Sequence, residues 1–215
     1  MKTQISETLL MGVLLAISGG LMDAYSYLFR DEVFANAQTG NILLFSVRLT
    51  QGEWMEALRY ACPIAAFSCG IALAAAVRHW CAEGEKWHWR QVCLVFEAVI
   101  LFAVAFIPQS LNLLANSLIS LACGTQVESF RKIEGCGVAT TMCIGNLRSA
   151  LHSAVEYGFT GSKKEEKTTV VAAVIIAAFA AGAVLGSILI GYIGIYTILT
   201  SAALLLVGTV LMARQ

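Results

Sequence analysis

Long apolar runs separated by short polar segments are the dominant pattern of this 215-residue chain. The runs are about 18 to 24 residues long, and a helix of that length crosses a hydrocarbon core of about 30 Å. The pattern predicts six membrane-spanning helices, at about 9–29, 57–79, 90–107, 110–130, 168–190 and 193–213. Two weaker apolar segments, 33–49 and 136–157, follow the first and fourth predicted spans. We therefore expect an all-α transmembrane bundle that forms one integral membrane domain over residues 1–215.

The two halves of the chain carry similar motifs that lie 105 positions apart. The identical pairs are Gly19/Gly124, Val33/Val138, Gly40/Gly145 and Asn41/Asn146, and the conservative pairs are Asp23/Glu128 and Tyr25/Phe130. Each half, about 9–107 and about 110–213, has the order span, short segment, span, span. Similar halves in a strongly apolar chain indicate internal symmetry, which is frequent in transporters. Because three spans are an odd number, the second half enters the membrane from the opposite face, and we expect inverted 3+3 repeats.

The distribution of lysine and arginine predicts the orientation. If only the six long runs cross, one side receives Lys2, Arg78, Lys86, Arg90, Arg131, Lys132, Arg148, Lys163, Lys164, Lys167 and Arg214, and the other receives Arg30, Arg48 and Arg59. This bias places both termini in the cytoplasm of a protein of the bacterial inner membrane. If the short segments also crossed, the division would be eight against six and uninformative. We therefore expect each short segment to be a re-entrant hairpin, an interfacial helix or a broken helix.

Composition narrows the class of protein. Apolar residues make up 58% of the chain and charged residues 13%, so the lipid bilayer is the expected partner. The net charge is zero, and we expect no nucleic-acid partner. Seven cysteines form no Cys-x-x-Cys pair and are interpreted as packing residues. Four residues flank one loop with a spacing that matches no zinc pattern, so we expect no metal and no cofactor: His79, Cys81, His88 and Cys93.

The first apolar run begins close to the N-terminus. It lacks a small-x-small cleavage site and continues into the repeated motif, so we expect a retained first helix in place of a removable signal peptide. The sequence contains no Gly-rich phosphate loop, no Gly-x-Ser-x-Gly elbow and no His-Glu-x-x-His motif. We therefore expect no enzymatic activity.

Asp23 is the main candidate for a functional side chain. Its neighbours at helical spacing are small or polar, and such a stripe should face the bundle interior, because an ionisable group facing lipid costs several kcal/mol. A carboxyl that lines a cavity could carry protons or cations. The alternative is a buried carboxylate that Ser or Tyr hydroxyls hold in place for packing.

Two further acids lie within predicted spans. Glu128 is the counterpart of Asp23, but Arg131 and Lys132 follow three and four residues later, so an ion pair at the helix end would also explain it. Glu97 lies eight residues into the third predicted span, where a carboxylate is a functional hypothesis by default. A partner such as Arg78 or His79 on the neighbouring span could instead make Glu97 structural.

The repeated Gly-Asn motifs form a second set of candidates. Where a chain breaks and restarts as a helix, its first N–H groups can bind an anion or a polar group. The alternative is helix capping with close helix packing. The residues proposed for the substrate or ion pathway on this basis are Gln38, Thr39 and Asn41 in the first half and Gln126, Thr140, Thr141, Asn146 and Arg148 in the second.

Small residues recur at four-residue spacing in the fifth predicted span. Ala178, Gly182 and Gly186 would let helices approach closely in a membrane, where no hydrophobic effect drives them together. Whether this face packs within one subunit or between two is open at this stage, so a homo-oligomer is also open.

The chain resembles the YoaK-type family of bacterial membrane proteins of unknown function. The resemblance rests on Gly19-Gly20-x-x-Asp23-Ala24, Val33-Phe34 with Gln38-Thr39-Gly40-Asn41, and Gly124-x-Gln126 with Thr140-Thr141 and Gly145. The chain departs from the family at Val127, Glu128 and Ile144. The resemblance implies an integral inner-membrane protein and supplies no established substrate.

These observations favour a secondary transporter or permease of a small unidentified solute, a molecule or an ion. The main alternative is a membrane scaffold that binds other helices and transports nothing. An intramembrane enzyme is a weaker third hypothesis, because no nucleophile–base arrangement is present.

Overall fold

The computed structural model describes residues 4–81 and 88–213. Eight α-helices occupy most of these residues: α1 (Leu9–Phe29), α2 (Gln38–Thr50), α3 (Trp54–Trp80), α4 (Trp89–Val104), α5 (Asn112–Ser129), α6 (Cys143–Thr160), α7 (Lys163–Ile193) and α8 (Ile198–Ala213). A two-residue antiparallel pair, β1 (Lys132–Ile133) and β2 (Cys136–Gly137), precedes α6. The expected all-α fold is confirmed. Lys2, Lys86 and Arg214, which the charge distribution included, lie outside the described residues.

Within residues 4–81 and 88–213, three stretches are long and apolar enough to cross a membrane by length and composition. They are Leu9–Phe29, Trp54–Trp80 and the continuous region Lys163–Ala213 that contains α7 and α8. The other two predicted spans correspond to the shorter helices α4 and α5, of 16 and 18 residues. Each weaker apolar segment begins with non-helical chain and becomes helical only at α2 or α6.

Helices of one half pack mainly against helices of the other half. The most extensive packing joins α1 to α7 and α3 to α5, and α4 also packs along α8. Within the halves, α2 lies on α3 and α6 lies on α7. If α1, α2, α3 and α4 are taken as equivalent to α5, α6, α7 and α8, the α1–α7 pairing corresponds to the α5–α3 pairing and the α2–α3 pairing to the α6–α7 pairing. The α4–α8 pairing corresponds to itself.

Glycines bring the main helix pairs into close contact. A Cβ atom added at Gly20 would overlap the carbonyl oxygen of Phe179, three residues before Gly182. A Cβ atom added at Gly182 would in turn overlap the carbonyl oxygen of Ile17, three residues before Gly20. The predicted packing role of the small-residue series is therefore explained inside one chain.

The pair α3 and α5 crosses in the same way. A Cβ atom at Gly124 would overlap the carbonyl oxygen of Phe67, and one at Gly70 would overlap that of Leu121. Both backbones approach each other directly because neither glycine carries a side chain, which is how helices pack tightly in lipid.

One end of the bundle is organised by Arg90, and we call it the Arg90 end. The guanidinium of Arg90, at the start of α4, donates to the Ser129 carbonyl oxygen at the end of α5, at 2.9 Å. It also pairs with the Glu7 carboxylate, just before α1, at 3.1 Å. Beside it, Glu134 accepts from the Leu9 N–H at 3.2 Å and pairs with Lys167 at 3.1 Å. The starts of α1, α4 and α7 therefore meet the end of α5.

The opposite end, the Arg30 end, is organised by a buried arginine. Arg30 is 0% exposed, and its guanidinium donates to the carbonyl oxygens of Val104 and Ile107, at 3.2 and 2.8 Å. It also donates to the Asn112 side chain at 3.0 Å and to the Tyr25 hydroxyl. The ends of α1 and α4 therefore meet the start of α5. The guanidinium of Arg30 therefore satisfies carbonyl oxygens at and after the end of α4 that lack a partner within the helix.

Candidate functional site

The chain between α1 and α2 turns back along α1. The backbone N–H of Asn36 donates to the Asp23 carboxyl at 2.7 Å, and its side-chain amide donates to the Gly19 carbonyl oxygen at 3.0 Å. Gly19 is the middle residue of the 21-residue helix α1. The segment therefore runs from the Arg30 end to the middle of the bundle, and α2 starts there.

The chain between α5 and α6 reaches the same level from the Arg90 end. The Gln126 amide donates to the Thr140 hydroxyl at 3.0 Å and to the Leu15 carbonyl oxygen at 3.1 Å. A Cβ atom at Gly19 would lie 3.2 Å from the Thr140 carbonyl oxygen and 3.3 Å from the Thr141 methyl group. Both helix N-termini, those of α2 and α6, are consequently brought to the midpoint of α1.

A cavity of about 650 Å³ lies where these N-termini meet α1 and α7. Its polar lining is Asp23, Asn36, Gln38, Thr39, Thr141 and Cys143. Its apolar lining includes Ala24, Tyr27, Leu28, Phe34, Met142, Ile144, Phe179 and Ala183. The rings of Tyr27 and Phe34 stack with centroids 4.8 Å apart and form one wall. The volume is in the range of ordinary small-molecule sites.

Asp23 is half-buried and faces both the cavity and the turned-back chain. Besides Asn36, the backbone N–H groups of Ala35 and Ala37 also face its carboxyl group. The Ser26 hydroxyl donates to the Asp23 backbone carbonyl at 3.2 Å and not to its carboxylate. The partners of this carboxylate are thus backbone N–H groups, in contrast to the Ser or Tyr hydroxyls of the alternative interpretation.

Several buried polar atoms around the cavity find no hydrogen-bond partner within residues 4–81 and 88–213. They are Asn36 Oδ1, Gln126 Oε1 and Thr141 Oγ1. These side chains are each no more than 2% exposed. Leaving such a group unsatisfied costs about 1–3 kcal/mol, so atoms of this kind mark places where a bound molecule can make hydrogen bonds.

The comparisons with known proteins follow this geometry. Residues 11–211 match the family described as a protein of unknown function, DUF1275. The chain belongs to this family. It is also similar to the UPF0700 transmembrane protein YoaK of Bacillus subtilis (strain 168), at 26% identity over 148 residues. That match covers 64% of this chain and 63% of YoaK, slightly less than two thirds of the relative. No solved structure matches the chain.

The resemblance predicted from the motifs is therefore confirmed. The transmembrane relative and the long apolar helices identify this DUF1275 chain as a membrane protein in contact with a lipid bilayer.

Among the predicted site residues of the DUF1275 chain, Glu128 and Arg148 lie away from the cavity. Glu128 is partly buried near the end of α5, and its carboxylate lies 3.6 Å from the Arg131 guanidinium. This is the helix-end ion pair of the alternative interpretation. Arg148 is exposed on α6, and it is not among the cavity-lining residues.

Glu97 is separate from the cavity and completely buried in α4. Neither of its carboxyl oxygens has a hydrogen-bond partner in the described part of the chain. Arg78, the structural partner suggested for it, instead places its guanidinium over the Trp89 ring at 5.8 Å. The ion pair between Glu97 and Arg78 is therefore not formed, because the Arg78 guanidinium at the end of α3 lies over the Trp89 ring at the start of α4.

The remaining candidates hold the two helix starts in place. The Gln38 side chain bonds to the Ala35 carbonyl oxygen at 2.8 Å and to the Asn41 amide at 2.9 Å. Asn41 and Asn146 bind the backbone seven residues earlier. Thr39 and Thr141 line the cavity, and Thr140 bonds to Gln126.

Asn36 is a site residue that the sequence analysis missed. It connects the turned-back chain to α1 through both its backbone and its side chain. The signal that could have found it is a single amide in the otherwise apolar run Val33-Phe34-Ala35-Asn36-Ala37. Among the described residues, no cluster of His, Cys, Asp or Glu side chains could hold a metal ion.

Proposed function

We propose that this protein is a carrier of a small solute in the bacterial cytoplasmic membrane. Its two halves form inverted repeats of three spans, both termini are cytoplasmic, and Asp23 couples solute movement to a proton or a cation. The proposal assigns no catalytic role. The single observation that carries it is the convergence of two helix N-termini and one carboxylate at a cavity in the middle of the bundle.

The contacts at the two ends support six spans. The starts of α1, α4 and α7 lie at the Arg90 end, and α1 and α4 finish at the Arg30 end. The chain returns between these ends through α3, α5 and α8. Because α2 starts at the middle and is followed by α3, it need not cross the membrane, and the same holds for α6.

The helix pairings are equivalent in the two halves, and this equivalence supports an alternating-access mechanism. In the described structure the cavity lies on the Arg30 side of Gly19, because the α1 residues that line it follow that glycine. Exchanging the roles of the halves would close this side and open a cavity along the part of α5 that follows Gly124. Inverted repeats supply such pairs of conformations in many carriers.

Scaffolding is the competing function, and it requires a small-residue face that is free to bind partner helices. Gly182 and Gly186 are not free, because they contact Ile17 and Leu21 of α1. This observation favours transport over scaffolding.

Proton-coupled flux in proteoliposomes tests the proposal. An internal pH-sensitive dye reports proton movement when amino acids, amines, sugars or carboxylates are added outside. We expect at least one class to move protons through the wild-type protein and not through Asp23→Asn. Asp31→Asn, the same chemical change at an exposed residue beyond α1, serves as the control. Equal proton movement in wild type and Asp23→Asn would refute proton coupling through Asp23. No uptake of any class under either a proton or a sodium gradient would refute the carrier proposal.

Single cysteines in a cysteine-free background test the topology. A cysteine at Gln51 should react with a membrane-impermeant thiol reagent added to intact cells, whereas one at Ser162 should react only after the cells are opened. The reverse result would reject the orientation, and reaction of both in intact cells would reject the six-span arrangement.

A further inference from the structure

The cavity combines one carboxyl group with one uncapped helix N-terminus. Asp23 is the charged side chain among its described lining residues, which include no lysine or arginine. The other pole is the start of α6, where Met142 provides no side-chain cap for the first N–H groups. A helix N-terminus is equivalent to roughly half a positive charge.

The start of α6 is more than a bare helix end. Thr141 lines the cavity immediately before α6 and is 2% exposed, and its buried hydroxyl has no hydrogen-bond partner in the described chain. A hydroxyl and free N–H groups that converge in this way suit a carboxylate, as at other anion sites on helix N-termini.

The start of α2 does not offer a second site of this kind. The backbone N–H groups of Ala35, Asn36 and Ala37, just before α2, already face the Asp23 carboxyl. They are therefore not free to bind a solute anion. The carboxyl group of Asp23 also lines the cavity, where it can accept from a solute donor. The cavity therefore has a negative side at α1 and a positive side at α6.

The separation of the two sides matches a short zwitterion. Thr141 lies at the level of Gly19, and Asp23 follows Gly19 by four residues, or about 6 Å along the helix. In an α-amino acid one carbon atom joins the ammonium and carboxylate groups, so both can reach their partners at once. The Tyr27, Phe34 and Phe179 rings provide an apolar wall for the side chain.

We propose that the cavity binds a small zwitterion with an apolar side chain, an α-amino acid in chemical class. The ammonium group bonds to Asp23, and the carboxylate bonds to Thr141 and the first N–H groups of α6. This inference rests on the proposed function in treating the cavity as the solute site, and it specifies the solute class.

Three probes with nearly the same carbon skeleton test it by isothermal titration calorimetry on the purified full-length protein. They are phenylalanine, phenethylamine, which lacks the carboxylate, and 3-phenylpropionate, which lacks the ammonium group. We expect phenylalanine to bind at least about tenfold more tightly than either single-charge probe, since each lost charge-assisted contact is worth about one factor of ten.

Two variants separate the two poles. Asp23→Asn should weaken phenylalanine and phenethylamine about tenfold and leave 3-phenylpropionate unchanged or tighter, whereas Thr141→Val should weaken phenylalanine and 3-phenylpropionate. Asp31→Asn should change none of the three. Tightest binding of phenethylamine, tightest binding of 3-phenylpropionate, equal binding of all three, or binding of none would each overturn the inference.

Flux separates this inference from the carrier proposal. If phenylalanine binds but is not taken up into proteoliposomes, the carrier proposal is refuted and the zwitterion site is retained. Uptake of another solute without phenylalanine binding would support the carrier proposal and refute the zwitterion site.

Discussion

Asn41 and Asn146 make the same pair of hydrogen bonds, each to the residue seven positions earlier. The Asn41 side chain accepts from the Phe34 N–H at 3.1 Å and donates to its carbonyl oxygen at 2.7 Å. The Asn146 side chain does the same with Ala139, at 3.0 and 2.6 Å. In both halves an asparagine in the first turn of the helix closes the loop that enters the bundle.

Replacing either asparagine by alanine should destabilise the protein to a similar extent. Each change leaves a backbone N–H and C=O of the loop without a partner, and we expect a loss of about 2 kcal/mol for Asn41→Ala and for Asn146→Ala. Thermal unfolding in detergent measures it. Ser46→Ala, on the exposed face of α2, should stay within about 0.5 kcal/mol. A large loss for only one asparagine would show that the loops are not equivalent in energy.

Alanine in place of the glycines where α1 crosses α7 and where α3 crosses α5 should disrupt the packing between the two halves. Gly20→Ala and Gly124→Ala place a methyl group on a carbonyl oxygen of the facing helix, so both should lower the melting temperature or abolish folding. Gly191→Ala is the matched control, because nothing lies within 4 Å of its added Cβ atom. It should be neutral or stabilising by up to about 1 kcal/mol, since alanine favours the helix. An unchanged melting temperature for both crossing variants would contradict the close approach.

Substitution of the buried arginine should loosen the Arg30 end. In Arg30→Gln, the carbonyl oxygens of Val104 and Ile107 lose their donor. We expect a loss of about 3 kcal/mol in the free energy of unfolding, by chemical denaturation. Arg59→Gln removes an exposed pair with Glu56 and should cost less than about 1 kcal/mol. Equal effects of the two substitutions would argue against a structural role for Arg30.

The protein should remain stable when Glu97 is replaced by its neutral isostere glutamine, and should not fold when it is replaced by a positively charged residue. Its side chain is fully enclosed and its two carboxyl oxygens lack partners in the described chain, so Glu97→Gln should leave the melting temperature unchanged or raise it. Glu97→Lys buries a cation in the same apolar surroundings and should prevent folding. A strong loss on Glu97→Gln, measured by size-exclusion chromatography and thermal unfolding, would indicate that the carboxylate has a partner.

The His88 cap should make stability depend on pH. Burial lowers the pKa of His88 below its ordinary value of 6.5, with a further contribution from the Arg90 charge. The unfolded chain therefore binds the proton more readily, and stability present above pH 6.5 should be lost as the pH falls below it. Protonation also removes the Nδ1 acceptor of the Arg90 N–H. His88→Asn keeps a capping acceptor, and its melting temperature should fall less between pH 7.5 and 5.5 than that of the wild type.

The repeat could be found in the sequence because its motifs keep one register through the first helix and the loop of each half. That register does not extend to the helix crossings. Gly70 and Gly182, which occupy equivalent places there, are 112 positions apart. Of the seven additional residues, five are accommodated because α6 has 18 residues and α2 has 13. This change of register, from 105 to 112 positions, cannot be detected in an apolar sequence, because many different apolar residues can fill the same packing positions.

The candidate site was predicted only in part for a similar reason. Asp23 stands out because an acid in an apolar run is costly without a role. Its partners are backbone N–H groups, which have no signature in the sequence. Glu128 has the matching position in the repeat but lies at a helix end beside Arg131, where water and a cation are close. Equivalent positions in a duplicated chain therefore need not keep equivalent chemistry.

The crossing of α1 with α7 joins residues made early and late in synthesis. Gly20 and Gly182 are 162 residues apart, which a ribosome elongating at about 5–20 residues per second covers in roughly 8–30 s. During that interval α1 lies in the bilayer without α7, and the site around the Asp23 carboxylate is incomplete. We therefore expect the first helix to stay in the insertion machinery until α7, which lies in the last quarter of the chain, has been made.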